Sequence, residues 1–557
     1  MNKAYDLLHL NHKKGKVLLA TVSGVATTKS ELIRLFDRKV PSVDIITTKS
    51  FQVVPNEGNK MPVITSPRLG DFGNSVGLRN PGMEKAYPEL EELRREGLRA
   101  ILNVSVSANS IEDFITLVKK FDPVADMIEL NLSCPHAAKG YGASIGSDPE
   151  LVRAYIKGIN EAYPERKSLL IAKLTPNVED IGAIARIATR SGADGIAAIN
   201  TVGPKEYYID GKPILFNKLG GKGGASGEWV KQRAVECIRE IRNAIGDDPI
   251  ILGMGGVSTA EDAFDMLSAG ADSVGIGSAI ARVEMSDYEA YFNAVKSGKD
   301  VSGYLGNDHK PLEYEKHVII DKTMYSPDTI ILTLDGKSDC QAGEFCFLFF
   351  SEAGERPFSV AKNDPLTFII KIRGPFTEAV SRLEKGDVIY TRGLSGKPIE
   401  NPKTDKALLI GGGTGTVVLN LLAEKLGKEN TKMDIRVGVP SLEEGQKGLM
   451  QDELEKYGSY TVIADDGKPG RVLDSLKKED VDGDAAAYIV GPSVMMRKAA
   501  EILLSFGLDP ERILISLEKN TMCGVGLCGE CVCGEKLTCK EGTFLPYSYI
   551  LENNLEI

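Results

Sequence analysis

The stretch at 129–136 reads Glu-Leu-Asn-Leu-Ser-Cys-Pro-His. It opens apolar and strand-like and breaks at a proline. That places Asn131, Ser133 and Cys134 at a strand end, ahead of a loop carrying Gly140, Gly142 and Gly146. A cysteine held there can exchange a proton with a substrate or attack one as a thiolate. The competing reading is a buried structural thiol, because free cysteine is among the most buried residue types. A second group of sulfur atoms lies far along the chain. Of nine cysteines, five crowd between Cys523 and Cys539. In a chain that opens on a mixed, polar segment with no secretion signal, such crowding reads as metal ligation and not as a disulfide scaffold.

The elements that must position these groups are set by length and pattern. At about 150 residues per domain, 557 residues suggest three or four units. Hydrophobic and charged contents of 42% and 26% are those of a globular protein. A net charge of −11 argues against nucleic acid and against an anionic membrane surface as partners. No apolar run reaches the roughly 18 residues of a membrane span, and the expected compartment is a reducing cytoplasm.

Strand-like runs fall at 17–21, 43–47, 100–105, 127–131, 169–174, 195–200, 249–253 and 273–276, with amphipathic stretches such as 149–162 and 178–190 between them. Eight such pairs predict an α/β fold, a (β/α)8 TIM barrel, in which strand C-terminal ends carry the chemistry. An open doubly wound sheet is the alternative. Polar residues recur at those ends: Lys49, Asn103, Asn131, Lys173, Asn200 and Thr201. A lysine closing an apolar run is costly to bury unless it meets an anion or an acceptor, although it can also snorkel to the rim. Two lysines among asparagines suit a planar ligand rich in carbonyls and amides. The last two strands end in glycine, at Gly255-Gly256 and at Gly277-Ser278. Loops in those positions are a frequent phosphate site, which suits a cofactor such as FMN.

Asn-Leu-Ser-Cys-Pro at 131–135 resembles the active-site strand end of class 1 dihydroorotate dehydrogenases. With His136 it is also similar to the pyrimidine-reducing domain of dihydropyrimidine dehydrogenase. The resemblance implies that Cys134 is the general acid/base facing a flavin. It extends to Ser23-Gly24, to Thr47-Thr48-Lys49-Ser50, to Asn74-Ser-Val-Gly-Leu-Arg-Asn-Pro-Gly82, to Lys173 and to Gly223-Gly-Ala-Ser-Gly227. It implies FMN contacts from Ser23, Gly24, Lys49, Asn103, Asn131, Lys173, Gly227, Gly255, Gly256, Gly277 and Ser278. It implies substrate contacts from Lys49, Asn74, Asn131, Asn200 and Thr201. Three positions depart from the dihydroorotate pattern: His136 where Asn is frequent, and Glu228 and Trp229 where the family has Pro and a small residue. Trp229 reads as local packing.

Beyond a linker at 299–311 the pattern changes. Short strand-like runs separated by turns predict a small antiparallel barrel. Arg356-Pro357-Phe358-Ser359 could offer a bidentate guanidinium and a hydroxyl to a pyrophosphate, or be a surface arginine. By its place it resembles the FAD motif of ferredoxin reductase-like proteins, with Arg373-Gly374 and 393–396 resembling later parts of that site. A buried run enters Gly411-Gly412-Gly413-Thr414-Gly415 and then a helix, which suits a diphosphate at a helix start or a plain tight turn. With Gly491-Pro492 it resembles the NAD(P) half of the same reductases. Cys523-x4-Cys528-x2-Cys531, then Cys539, matches plant-type [2Fe–2S] ligation, with zinc as the competing reading and Cys533 as a non-ligand.

The expected organisation is an FMN barrel at 1–298, an FAD-binding β-barrel at 312–402, an NAD(P)-binding α/β subdomain at 403–514 and a cluster domain at 515–557. This resembles a class 1B, NAD-dependent dihydroorotate dehydrogenase fused to its electron-transfer subunit. The expected activity is interconversion of dihydroorotate and orotate in pyrimidine biosynthesis, with a homodimer formed through the barrel. Reduction of uracil, thymine or a related cyclic amide is the alternative, and a tRNA-modifying or non-catalytic flavin barrel the more distant one.

Overall fold

Runs of aliphatic residues buried on both faces are what parallel strands wrapped by helices require, and eight of them close into a barrel. The computed structural model describes residues 4–8, 16–132, 145–307, 312–442, 446–468 and 470–557. The strands are β1 (Leu19–Thr21), β2 (Val43–Thr47), β3 (Ile101–Val106), β4 (Met127–Asn131), β5 (Leu169–Lys173), β6 (Gly195–Ala198), β7 (Ile250–Met254) and β8 (Ser273–Ile276). They pair in parallel in the closed order β1-β8-β7-β6-β5-β4-β3-β2. Helices follow each strand: α1 (Ser30–Lys39), α2 (Met83–Arg95), α3 (Ile111–Phe121), α4 (Pro149–Ala162), α5 (Ile181–Arg190), α6 (Lys231–Ile245), α7 (Ala260–Ser268) and α8 (Tyr288–Lys296). Their starts are written locally. Ser110 caps α3 by accepting from the Asp113 amide, Asp148 caps α4 ahead of Pro149, and Thr259 with Asp262 forms a capping box on α7.

The barrel interior changes character along its axis. Side chains two apart share a face of a strand. Ile45, Ile101, Met127, Leu169 and Ile171 fill the N-terminal half with Ala4 and Leu8. The next residues on the same faces are Thr47, Asn103, Ser105, Glu129, Asn131 and Lys173, all buried. The apolar half is a packed plug and the polar half is the floor of a site.

The chain divides into two compact units. The first is Met1–His309 together with Val525–Glu535, and the second is Lys310–Gly524 together with Lys536–Ile557. In the second, where a small antiparallel barrel is expected, seven strands form an antiparallel sheet. They are β9 (Tyr314–Ser326), β10 (Thr329–Leu334), β11 (Phe345–Phe350), β12 (Gly354–Phe358), β13 (Lys362–Asn363), β14 (Leu366–Lys371) and β15 (Val388–Ser395), in the order β12-β11-β15-β9-β10-β14-β13. Next come β16 (Lys406–Gly412), α9 (Val417–Lys428), β17 (Lys432–Val439), β18 (Gly458–Ala464), β19 (Ala486–Val490), α10 (Ser493–Ser505), β20 (Ile513–Ser516) and β21 (Phe544–Pro546). Their sheet runs β18-β17-β16-β19-β20-β21, parallel except at β21. No helix among the described residues is long and apolar enough to cross a membrane.

Candidate active site and its redox-centre motifs

At the polar mouth of the barrel the side chains form one directed network. Asn131 Nδ2 donates to Ser50 Oγ at 3.0 Å. Ser50 Oγ lies 2.9 Å from Ser105 Oγ, and Ser105 Oγ donates to Glu129 Oε1 at 3.0 Å. Ser105 has one hydroxyl proton and spends it on the carboxylate, so Ser50 must donate to Ser105 and accept from Asn131 and Ser23 (Ser23 Oγ is 3.2 Å away). Lys173 Nζ reaches Glu129 Oε1 at 3.3 Å. Asn200 Nδ2 points at Asn131 Oδ1 at 3.5 Å, and Asn200 Oδ1 accepts from the Thr201 amide. The strand ends thus bring Ser23, Asn131, Lys173, Asn200 and Thr201 together.

The network is incomplete. Glu129 Oε2, Asn103 Oδ1 and Thr201 Oγ1 are buried with no hydrogen-bond partner among the described residues. Asn103 uses only its amide, donating to Thr47 Oγ1 at 3.2 Å. Lys49 is 8% exposed and no hydrogen bond or ion pair holds its ammonium among the described residues. Burial pushes that ammonium below the ordinary lysine value, against the pull of Glu530 and Cys528 in the other direction. Buried polar groups are normally paired, so these open valences mark where a ligand fits. Cys134 lies outside the described residues.

The remaining barrel positions frame this mouth. Asn74 and Gly227 sit on an inserted antiparallel sheet made by Ile64–Arg68, Asp71–Asn74, Lys222–Gly227 and Val202–Glu206, where Asn74 Nδ2 donates to Gly224 O. A Cβ at Gly227 would fall 2.2 Å from the Gly70 carbonyl, so this position takes only glycine. Gly24 has φ +82° and open space where a Cβ would be. Gly255 and Gly256 press on the start of α6, where a Cβ at Gly256 would lie 2.7 Å from the Lys231 amide nitrogen. Gly277 packs against Val22, and Ser278 opens a short 3-10 turn. The two departures have jobs of their own. Glu228 accepts from Arg282 Nη1 at 2.6 Å and from Ser258 Oγ at 3.4 Å, tying the loops after β7 and β8. Trp229 donates to Ser226 O, and Lys205 Nζ lies 3.3 Å from the centre of its ring.

Sequence reasoning passed over Glu129, Ser50 and Ser105. The signal was present: Glu129 is two residues before Asn131, and Ser105 two after Asn103, on the same strand faces.

The segment Val525–Glu535 counts with the barrel. The Ala26 amide donates to Leu527 O at 2.9 Å and Thr28 Oγ1 to Cys528 O at 2.8 Å. Glu530 lies 3.6 Å from Lys29 and 3.5 Å from Arg79, and Lys39 pairs with Glu535. In the second unit, Arg392 Nη1 donates to Cys523 O at 3.1 Å and the Gly396 amide to Cys539 O at 2.8 Å. Cys523, Cys528, Cys531, Cys533 and Cys539 are all buried, and none of them is in a disulfide. Gly524, Gly526, Gly529 and Gly534 between them all have positive φ, which lets the backbone wrap tightly around an enclosed group. Among the described residues no three His, Cys, Asp or Glu side chains are grouped to hold one metal ion. A two-iron cluster asks for two thiolates on each iron instead.

The second unit holds a cavity of about 670 Å³ lined by Gly412, Gly413, Thr414, Gly415, Gly491 and Pro492, with cations (Lys371, Arg373, Lys498) and carboxylates (Asp465, Glu518, Glu556) both on its wall. Gly411 lies just inside β16. A Cβ at Gly415 would sit 3.0 Å from Gly491 Cα, so the two loops meet backbone to backbone. β16 and β19 are neighbours from which the strand order runs both ways, the switch point where parallel sheets bind ligands. Arg356, Pro357 and Phe358 lie on β12. Arg356 donates to the Glu355 carbonyl at 2.7 Å, the Phe358 ring stacks on Phe376, and Ser359 follows the strand half-buried.

A family model described as dihydroorotate dehydrogenase matches residues 9–291. The catalytic subunit of dihydroorotate dehydrogenase B (NAD(+)) from Methanocaldococcus jannaschii is 38% identical over 271 residues, 48% of this chain and 83% of that subunit. The subunit of the same name from Pyrococcus abyssi is 41% identical over 270 residues, 48% of this chain and 85% of that one. That from Pyrococcus furiosus is 36% identical over 289 residues, 51% and 91%.

Proposed function

The chain belongs to the dihydroorotate dehydrogenase family, and from that premise we propose that it interconverts dihydroorotate and orotate and exchanges the electrons with NAD. The observation that carries this is the unfinished network at the barrel mouth. An ammonium without a hydrogen bond or ion pair, an amide carbonyl without a donor and a half-used carboxylate, each among the described residues, suit a flat ring bearing amides and a carboxylate, lying against a flavin. FMN fits there, since Asn103 Oδ1 and Glu129 Oε2 await donors and the Lys173 ammonium is held in place by Glu129. When bound, FMN would supply hydride exchange, a [2Fe–2S] cluster single-electron carriage, and FAD the conversion between the two for NAD.

The chain's own residues do the rest. Cys134 exchanges a proton with the substrate carbon next to the one that gives up hydride. Asn131 and Asn200 orient the ring amides, Asn131 being held by Ser50. Lys49 offers its ammonium to the substrate's negative charge, where low dielectric strengthens the attraction. Gly412 to Gly415 present backbone amides to a diphosphate beside Lys371, Arg373 and Lys498. Arg356 and Ser359 would hold FAD, and Cys523, Cys528, Cys531 and Cys539 the cluster, with the positive-φ glycines supplying the wrap. His136 favours a second reading, reduction of uracil or thymine.

The test is an anaerobic panel of dihydroorotate, dihydrouracil and dihydrothymine, read by flavin bleaching. Dihydroorotate should bleach the barrel flavin, and Cys134→Ala should keep the flavin but lose about 10²–10⁴-fold in rate. Bleaching by dihydrouracil but not dihydroorotate would overturn the assignment in favour of the second reading. Near-normal rates in the variant would remove Cys134 from the mechanism.

A further inference from the structure

The strand that ends at Ser395 holds the backbone of two cluster cysteines and carries one hydroxyl that it does not use. Arg392 on β15 is fixed by two bonds to Glu355, at 2.9 and 2.7 Å, and lies 4.0 Å from the centre of the Phe347 ring. From that fixed position it donates to the Cys523 carbonyl, and Gly396, one residue past the strand, donates to the Cys539 carbonyl. Between them is Ser395, 3% exposed, with an Oγ that has no hydrogen-bond partner among the described residues. A Cβ at Gly524 would fall 2.8 Å from that Oγ and 2.8 Å from the Phe347 ring, so the hydroxyl lies against the residue that follows Cys523.

Burying a hydroxyl without a partner is unfavourable, and alanine at 395 would avoid that cost. The hydroxyl therefore has an acceptor when the site is filled. A cysteine thiolate or an inorganic sulfide is the acceptor that a wrapped cysteine loop presents. We propose that Ser395 is a further residue of the iron–sulfur site, donating a hydrogen bond to a sulfur atom of the group held by Cys523 and Cys539. This rests on the cluster reading above. Reduction adds negative charge to the cluster and its sulfurs, and hydrogen bonds to those sulfurs are one of the terms that set the potential. The Ser395 bond strengthens on reduction and so raises the reduction potential. Arg392 and Gly396 are positioning residues that fix the backbone on which the two cysteines sit.

Ser395→Ala in the full chain tests this without reference to turnover. Iron and sulfide content should match the wild type, and the midpoint potential from a dye-mediated titration followed by electron paramagnetic resonance should move to a more negative value. The Fe–S stretching bands of the wild type should shift in heavy water, and that shift should shrink in the variant. The iron-stripped variant should unfold no earlier than the iron-stripped wild type, since no bond is lost. An unchanged potential and an unchanged solvent-isotope shift at full iron content would overturn the role of Ser395 while leaving the cluster reading intact. Lower stability of the iron-stripped variant would overturn it too, by showing the hydroxyl to be structural. A wild-type protein without iron and sulfide would overturn the cluster reading itself.

Discussion

Each unit buries a carboxylate against a cation, and the two pairs are built to different ends. In the barrel, Glu129 at zero exposure meets Lys173 through one oxygen at 3.3 Å, and its other oxygen has no hydrogen-bond partner among the described residues. In the second unit, Glu355, also at zero exposure, is gripped by Arg392 through both oxygens and receives Tyr314 Oη at 2.9 Å. The guanidinium fork satisfies a carboxylate completely, and an ammonium does not. A closed pair holds structure in place, whereas an open one keeps capacity for a ligand. Unmet valence, more than burial of charge as such, separates the candidate active site from the scaffold.

Breaking the closed pair should give the largest effect. Arg392→Met strands Glu355 at zero exposure with one remaining donor, which should cost about 3–5 kcal/mol in urea unfolding of the second unit. Adding Glu355→Leu should recover most of it, because replacing both partners of a buried pair by apolar groups is often near neutral. Lys173→Met should cost less in stability, since Ser105 still donates to Glu129, but should release flavin on ultrafiltration. If Lys173→Met destabilised as much as Arg392→Met and kept its flavin, the distinction between open and closed pairs would fail.

The second test sharpens the barrel's side of the comparison. Lys49 makes no hydrogen bond or ion pair among the described residues, and only the field of Glu530 and Cys528 favours its charge, so in flavin-stripped protein it should be a liability. Lys49→Met should raise the stability of that form by about 1–3 kcal/mol near neutral pH, while abolishing turnover of the loaded enzyme. The sign with pH follows from its depressed folded-state pKa. Between that value and the ordinary 10.5 the unfolded chain binds more protons, so wild-type stability rises with pH through this window. The variant lacks this rise, and its advantage should shrink to nothing above 10.5. A pH-independent gain would show that burial does not lower its pKa, and a loss would show that Lys49 is paired in the free protein.

These residues also show what the chain reveals before it is folded. The eight barrel strands were legible because apolar runs bounded by turns repeat at a steady spacing, and the glycines of β7 and β8 and the cysteine spacings are local signals. Glu129 was only half legible, since its importance depends on sharing a strand face with Asn131 and lying across from Lys173. Arg392 was not legible at all. Its partner Glu355 is 37 positions away and reaches it only through the register of β12, β11 and β15. The same holds for the cysteine segment, where Thr28 and Cys528 are 500 positions apart and nothing local announces that Val525–Glu535 packs with the barrel.

That segment gives the smallest and most discriminating prediction. Glu530 stands between Lys29 and Arg79 at 3.6 and 3.5 Å, distances too long for strong hydrogen bonds, and both cations are partly exposed. Pairs of this kind contribute about 0.2–1 kcal/mol and are screened by salt. The Ala26 and Thr28 bonds to the backbone of Leu527 and Cys528 are buried or short and owe nothing to charge. Glu530→Gln should therefore cost under about 1 kcal/mol in low salt, and less in 0.5 M salt. Thr28→Val, which removes the donor to Cys528 O, should cost about 1 kcal/mol regardless of salt. Part of the Glu530 effect should come through Lys49, whose ammonium it favours, and that part should vanish in a Lys49→Met background. A salt-independent loss above about 2 kcal/mol on Glu530→Gln would mean that the segment is held by a closed, desolvated ion pair like that of Arg392, and that the barrel uses the same device as the second unit after all.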